Sequence, residues 1–169
     1  GVGRTCGATP VLAVAPVGSA TIEPPAALAA RYAAFPARVS IGQGFLLTMS
    51  VTNTGSADAA GVNIAAIRQD GGGGASLAAG PNPAMPVTIL GGASRTFTWT
   101  MTGLSSGNLV FSTTAGGVDA NSDNPVFAPP SGSNTVIVEK PAALSATLYS
   151  YAPPIVCTGR TFIVTMTVT

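Results

Sequence analysis

The chain has 169 residues, 46% of them hydrophobic, yet only 8% are charged, the net charge is +1 and there is no histidine. Such a chain carries no basic field for nucleic acid and no polybasic patch for a membrane surface, and it lacks the commonest general base and metal ligand. No apolar run approaches the ~20 residues of a spanning helix, so no membrane insertion is expected.

The 21 Gly and 14 Pro fall between short apolar runs, as in an all-β domain with many turns. Leu28–Ala33 reads as a first strand, closed by Phe35-Pro36. Phe45–Thr52 is the clearest strand: Phe45, Leu47, Met49 and Val51 face one side, and Thr48, Ser50 and Thr52 the other. Asn53-Thr54-Gly55-Ser56 turns the chain, since Asn and Gly both tolerate positive φ. Gly61–Arg68 reads as a third strand, with Val62, Ile64 and Ala66 alternating. Asp70–Gly74 reads as a flexible hairpin tip; no strand-to-helix context or Lys makes it a phosphate loop. Prolines 81, 83 and 86 interrupt the chain before the strand Val87–Leu90, and Gly91-Gly92 turns it again. In Arg95–Met101, Phe97, Trp99 and Met101 share one face and Thr96, Thr98 and Thr100 the other. Gly107–Thr114 follows, then a long loop over Gly116–Ser133, then a last strand over Thr135–Glu139 that Pro141 ends.

About seven strands in roughly 116 residues, with turns every 8–12 or so, predict an immunoglobulin-like antiparallel β-sandwich. Its expected core is Phe45, Leu47, Met49, Val51, Ile64, Phe97, Trp99, Leu109, Phe111 and Val136. Trp99 could serve as a sugar-stacking platform, but its place beside Phe97 and Met101 favours the core.

The chain also repeats itself. Gly42–Thr52 aligns with Gly159–Thr169 at an offset of 117, with six identities in eleven. Glu23–Ala30 aligns with Glu139–Ala146 at an offset of 116, with six identities in eight. A fainter match sets Gly1-Val2 against Gly117-Val118, and Pro10-Val11 against Pro125-Val126. The expected organisation is a tandem array: 1–25 the end of a preceding repeat, 26–141 a complete repeat, and 142–169 the first strands of a following repeat or a strand donated to a neighbouring subunit. Phe45 and Phe162 would then be equivalent.

Val51-Thr52-Asn53-Thr54-Gly55-Ser56-Ala57 resembles the V-x-N-x-G turn of bacterial surface repeats. The Gly-containing turn Ile89–Ser94, the aromatic strand Thr96-Phe97-Thr98-Trp99, Gly107–Phe111 and Asp119 follow in the order of that pattern. The chain is therefore similar to the cell-adhesion-related domain found in bacteria (CARDB) and related Ig-like modules. That resemblance implies tandem extracellular modules acting as spacers, fibres or adhesive stalks. The Gly-rich insertion at 71–74 has no place in the pattern.

Candidate chemistry is sparse. Asp119, Asn121 and Asp123 place oxygen ligands at alternate positions, which suits Ca²⁺, but the sharp-turn Gly and downstream Glu of an EF-hand are missing. A solvated Asx-rich loop is the simpler reading. Cys6 and Cys157 form no Cys-x-x-Cys motif and correspond to Ser122 and Ser40 of the complete repeat. In an extended array they lie too far apart for one disulfide. They pair elsewhere, pair between molecules or stay free; a chain folded back on itself would permit an intrachain bond.

The expected function is a non-enzymatic structural module of a bacterial extracellular fibre or cell-surface stalk, whose partners are neighbouring copies of the same repeat or subunit. The alternatives are an adhesin gripping a glycan or protein ligand with loops 69–86 or 116–133, and an accessory module of a secreted enzyme. Few Lys, many Thr and Ser, and only two Cys fit an extracellular or cell-surface setting.

Overall fold

The alternation along Phe45–Thr52 does what a period of two should do: it gives a strand one buried and one outer face. The computed structural model describes Gly18, residues 21–150 and residues 155–169. In chain order the strands are β1 (Leu28–Phe35), β2 (Arg38–Ser40), β3 (Gly44–Asn53), β4 (Ala59–Ile64), β5 (Arg68–Gly71), β6 (Gly74–Asn82) and β7 (Val87–Ile89). Then come β8 (Ser94–Ser105), β9 (Gly107–Thr113), β10 (Ala115–Asp119), β11 (Pro125–Phe127), β12 (Ser131–Gly132), β13 (Val136–Glu139), β14 (Ala146–Ser150) and β15 (Val164–Val168). Among the described residues there is no helix long and apolar enough to cross a membrane.

The architecture is all-β, an immunoglobulin-like sandwich. One layer has the strand order β1-β3-β8-β6, every pair antiparallel. The other layer is split into β11-β10-β4-β7 and β12-β9-β13-β2, with β5 added to β9. The single parallel pair in it joins β13 to β2. Phe45, Leu47, Met49 and Val51 on β3, with Phe97, Trp99 and Met101 on β8, face the second layer's Val62, Leu109, Phe111 and Val136, and all are buried. Phe45 and Phe111 meet across the layers at 5.8 Å between ring centroids. Burying each such side chain stabilises the fold by ~1.5–3 kcal/mol.

Several expectations need correction. The seven strands resolve into thirteen shorter segments between Leu28 and Glu139, because the second layer is broken in mid-course. The strand expected over Gly61–Arg68 stops at Ile64, and Ala66 is exposed. There Ala65 N–H bonds Thr114 C=O, and the Thr113 hydroxyl donates to Ala65 C=O, so side chain and backbone replace the ladder. The expected loop 116–133 contains β10, β11 and β12. The expected loop 69–86 is largely β5 and β6.

Gly71–Gly74 is not a hairpin tip, since β5 pairs with β9 and β6 with β8. It crosses between the layers, tight against the turn into β9. A Cβ on Gly73 would lie 2.7 Å from Gly107 O, and Gly107 itself has φ +145°. Backbone contact demands these glycines, not flexibility.

Ala146–Ser150 and Val164–Val168, β14 and β15, pair as a separate antiparallel hairpin. Its register matches that of β1 on β3. Ala30 faces Val51 and Tyr32 faces Met49; Ala146 faces Val168 and Leu148 faces Met166. Offsets of 116 on one strand and 117 on the other convert each pair into its counterpart. The tandem reading expects Phe45 and Phe162 in like surroundings, and that expectation fails: Phe45 is 2% exposed within β3, and Phe162 is 56% exposed and lies before β15. The reason is physical: among the described residues no second layer covers the hairpin.

Candidate functional site

Among the described residues, two of the three buried polar side chains, Asn53 and Asp119, sit at the end of the sandwich where β1 begins. We call this the leading pole. Asn53 ends β3 and continues its inward alternation. Its Oδ1 accepts from Ala27 N–H and Gly55 N–H, both at 3.1 Å. Its Nδ2 donates to Ala57 C=O at 2.8 Å and to Ile89 C=O at 3.1 Å. The amide thus makes two bonds as donor and two as acceptor, which a buried Asn needs. A Cβ on Gly55 would lie 2.0 Å from Pro25 O, so the turn admits only glycine there. The V-x-N-x-G motif is this clasp. Around it, Pro24 C=O accepts from Ser56 N–H (3.3 Å) and Ala57 N–H (3.0 Å), and Ala27 C=O accepts from Thr54 N–H (2.7 Å).

Asp119 ends β10 and is 2% exposed. Its Oδ2 accepts from Ala26 N–H at 2.6 Å. Its Oδ1 accepts from Asn121 N–H and Ser122 N–H at 2.9 Å and from the Ser122 hydroxyl at 3.0 Å. The Ala26 N–H, chiefly, holds the carboxyl below its usual range; burial opposes it, and the Ser122 hydroxyl and the Asn121 and Ser122 amides assist. Asp123, at φ 57°, closes the turn and donates its N–H to Asp119 C=O. Asp58 completes the pole: its Oδ1 accepts from Gly91 N–H, and its C=O from Ala120 N–H.

The trailing pole lies at the other end of β3. There β13 runs parallel to β2, Glu139 C=O accepts from Ile41 N–H, and Arg38 forms an exposed ion pair with Glu139. Gly42 N–H bonds Gly103 C=O, and Ser40 N–H bonds Gln43 Oε1. The ten residues of β3 separate the poles by ~30 Å at ~3.3 Å per residue.

The five core residues singled out from the sequence, Phe45, Met49, Phe97, Trp99 and Phe111, are all buried. Trp99 is no open platform; Tyr32 meets it edge-on at 6.2 Å. The Tyr32 hydroxyl is buried without a hydrogen-bond partner, and burial pushes its pKa up. Of the expected Ca²⁺ set, Asp119 turns inward onto the donors named above, whereas Asn121 and Asp123 are exposed. The loop is therefore not simply solvated. Among the described residues no three Cys, Asp or Glu side chains gather as a metal set would need. Cys157 is exposed, and Cys6 lies outside the described residues.

Two shallow hollows flank the break in the second layer. One, of about 320 Å³, is lined by apolar side chains including Ile64, Leu77, Met85 and Trp99. The other, of about 390 Å³, carries Arg68, Asp70 and Ser112. In the second, the Ser112 hydroxyl donates to Asp70 Oδ2 at 3.3 Å, an exposed contact between β9 and β5. Sequence reasoning passed over Asn53 and Asp58 as site residues. Asn53 had a legible signal, a polar residue at the inward phase of an alternating strand; Asp58 had none.

No family model matches the chain. No curated protein matches it. Among solved structures, the ASH/PapD-like domain of human CEP192 (PapD-like domain 7) is similar at 8% identity and a TM-score of 0.38, over 79% of this chain and 99% of that one. At that score the likeness adds nothing to the layers and register described above.

Proposed function

We propose that this chain is a non-enzymatic structural repeat of a bacterial extracellular fibre or cell-surface stalk, of the kind its CARDB-like turn pattern suggests. The observation that carries the reading is the placement of the two chain ends of the sandwich. Pro24–Ala27 is bonded at one end of β3 and Glu139 at the other. A unit so threaded adds length to a chain instead of folding back. The β14–β15 hairpin, in the register of β1–β3, supplies the beginning of a next unit. The mechanism is mechanical: each sandwich resists unfolding as a cooperative block, and neighbouring copies are its partners. The low charge leaves little repulsion between adjacent units.

The adhesin reading is the weaker one, because of the segments expected to grip a ligand 69–86 is largely, and 116–133 half, tied into strands. Immunogold microscopy with antibody to residues 26–141 tests the proposal. Labelled strings with a ~30–40 Å period at the cell surface support it. Labelled compact particles with no string would defeat it.

A further inference from the structure

The hydrogen bonds at the two poles, combined with the internal repeat, define how consecutive units join. This rests on the tandem-repeat reading above. Within the described unit, the first backbone group held by the leading pole is Pro24 C=O, bonded by Ser56 and Ala57 N–H. The last backbone group held at the trailing pole is Glu139 C=O, bonded by Ile41 N–H. The unit therefore runs from Pro24 to Glu139, two residues earlier at each end than the boundaries read from sequence, and spans 116 residues. At that offset Pro24 is equivalent to Lys140. The alignment runs without a gap from Glu139 to Ala146, and the structure bears it out from Ser145, which exchanges N–H and C=O bonds with Thr169 where Ala29 pairs with Thr52.

We infer that adjacent units meet with no linker, each trailing pole abutting the next leading pole across a joint one residue long. Glu139 C=O belongs to one unit, and Lys140 C=O belongs to the next, clasped by that unit's counterparts of Ser56 and Ala57. Only φ and ψ of Lys140 separate the two carbonyls. Pro141 follows, and a residue before proline is confined to extended conformations. At the equivalent joint, Glu23-Pro24-Pro25, the ring of Pro24 fixes φ as well, so that joint is stiffer still. The surface that buries itself here is specific: the Arg38–Glu139 pair and the Ser40–Gln43 turn on one side, the turns around Asn53 and Asp119 on the other. The partner is the adjoining unit of the same chain.

The test uses the full chain with residues 53–141 placed a second time directly after Thr169, which is equivalent to Thr52. This gives the hairpin the strands of a complete unit without altering the natural joint. Residual dipolar couplings are then measured in both units. The expected result is one alignment tensor fitting both. Inserting Gly-Ser-Gly-Ser between Glu139 and Lys140 should split it into two of unequal size. Two tensors in the uninserted chain, with both units folded, overturn the one-residue joint while leaving the tandem reading intact. A single tensor that survives the insertion overturns the joint as the source of stiffness. Failure of the second unit to show strand amide protection overturns the tandem reading, and this inference with it.

Discussion

Met49 and Met166 occupy matching places in two strand pairs of the same register, yet Met49 is 0% exposed and Met166 61%. Strand pairing and alternation agree in both copies, down to the residue opposite, Tyr32 in one and Leu148 in the other. What differs is the rest of the sandwich. In the closed unit β8 pairs beside β3, and the second layer, with Phe111 against Phe45, lies across it. Local sequence therefore suffices to set register, whereas burial comes from strands tens of residues away. An isolated two-stranded hairpin is marginal in water, so most of the stability of the chain resides in the closed unit.

The sharpest way to break this comparison is to make the same substitution twice. Met49→Ala should lower the unfolding free energy by about 2–5 kcal/mol, since a buried Met leaves a cavity among packed neighbours. Met166→Ala in the same chain should change it by less than about 0.5 kcal/mol. Urea titration followed by Trp99 fluorescence reads both. Equal losses would mean the hairpin is buried in solution, and the contrast between the copies would be void.

The closed unit also owns two polar clasps that tie its layers together at the leading pole. Asn53→Ala strips a partner from Ala27 N–H, Gly55 N–H, Ala57 C=O and Ile89 C=O at once. With each orphaned buried group costing about 1–3 kcal/mol and some of them reaching water, the net loss should be about 2–4 kcal/mol. Asn53→Asp should not rescue it, because a carboxylate cannot donate to Ala57 and Ile89. Full rescue by Asp would show that the two donor bonds contribute nothing.

Asp119 gives a smaller, pH-dependent effect. Its pKa is lowered in the folded state, so the folded protein favours the carboxylate. Its stabilising contribution is complete above the unfolded carboxyl value of ~3.9 and is lost as pH falls through the lower folded value. Melting temperature should therefore drop on acidification below about pH 4, and Asp119→Asn should flatten that part of the profile while lowering the plateau at neutral pH. An unchanged acid limb in the variant would assign the titration to another carboxyl.

Much of this was legible in the sequence, for reasons the residues make plain. β3 and β8 alternate strictly, and each has β-branched or aromatic residues on a pleated face, so their period declared them. The second layer was harder to read. Its ladder stops at Ala65–Ile67, where alternation continues in sequence but side-chain bonds from Thr113 take over. β11 and β12 are three and two residues long, too short for any period to show. The four glycines at 71–74 look the same on paper whether they flex or pack; the approach of Asn108 to Gly71, of Gly107 to Gly73 and of Ser105 to Gly74 decides it, while Gly72 has room for a side chain. At the leading pole, Asp119 was visible as a ligand candidate, but its actual partner, Ala26 N–H, lies 93 residues away. No spacing rule reaches that far.

The smallest expected effect tests the pairing of the two copies at a single position. Tyr32 is buried against Trp99, and its hydroxyl has no partner. Its counterpart in the open hairpin is Leu148, which has no hydroxyl to satisfy. A buried hydroxyl without a hydrogen bond is a net cost, so Tyr32→Phe should raise stability by about 1 kcal/mol while keeping the edge-on contact with Trp99. Tyr32→Leu, which copies the hairpin, should instead lower it, because the ring fills space that a smaller side chain leaves open. Chemical denaturation of the two variants separates packing from polarity at this site. A loss on Tyr32→Phe would mean that the hydroxyl finds water or a protein acceptor, and that the Tyr32 ring sits less tightly on Trp99 than its burial implies.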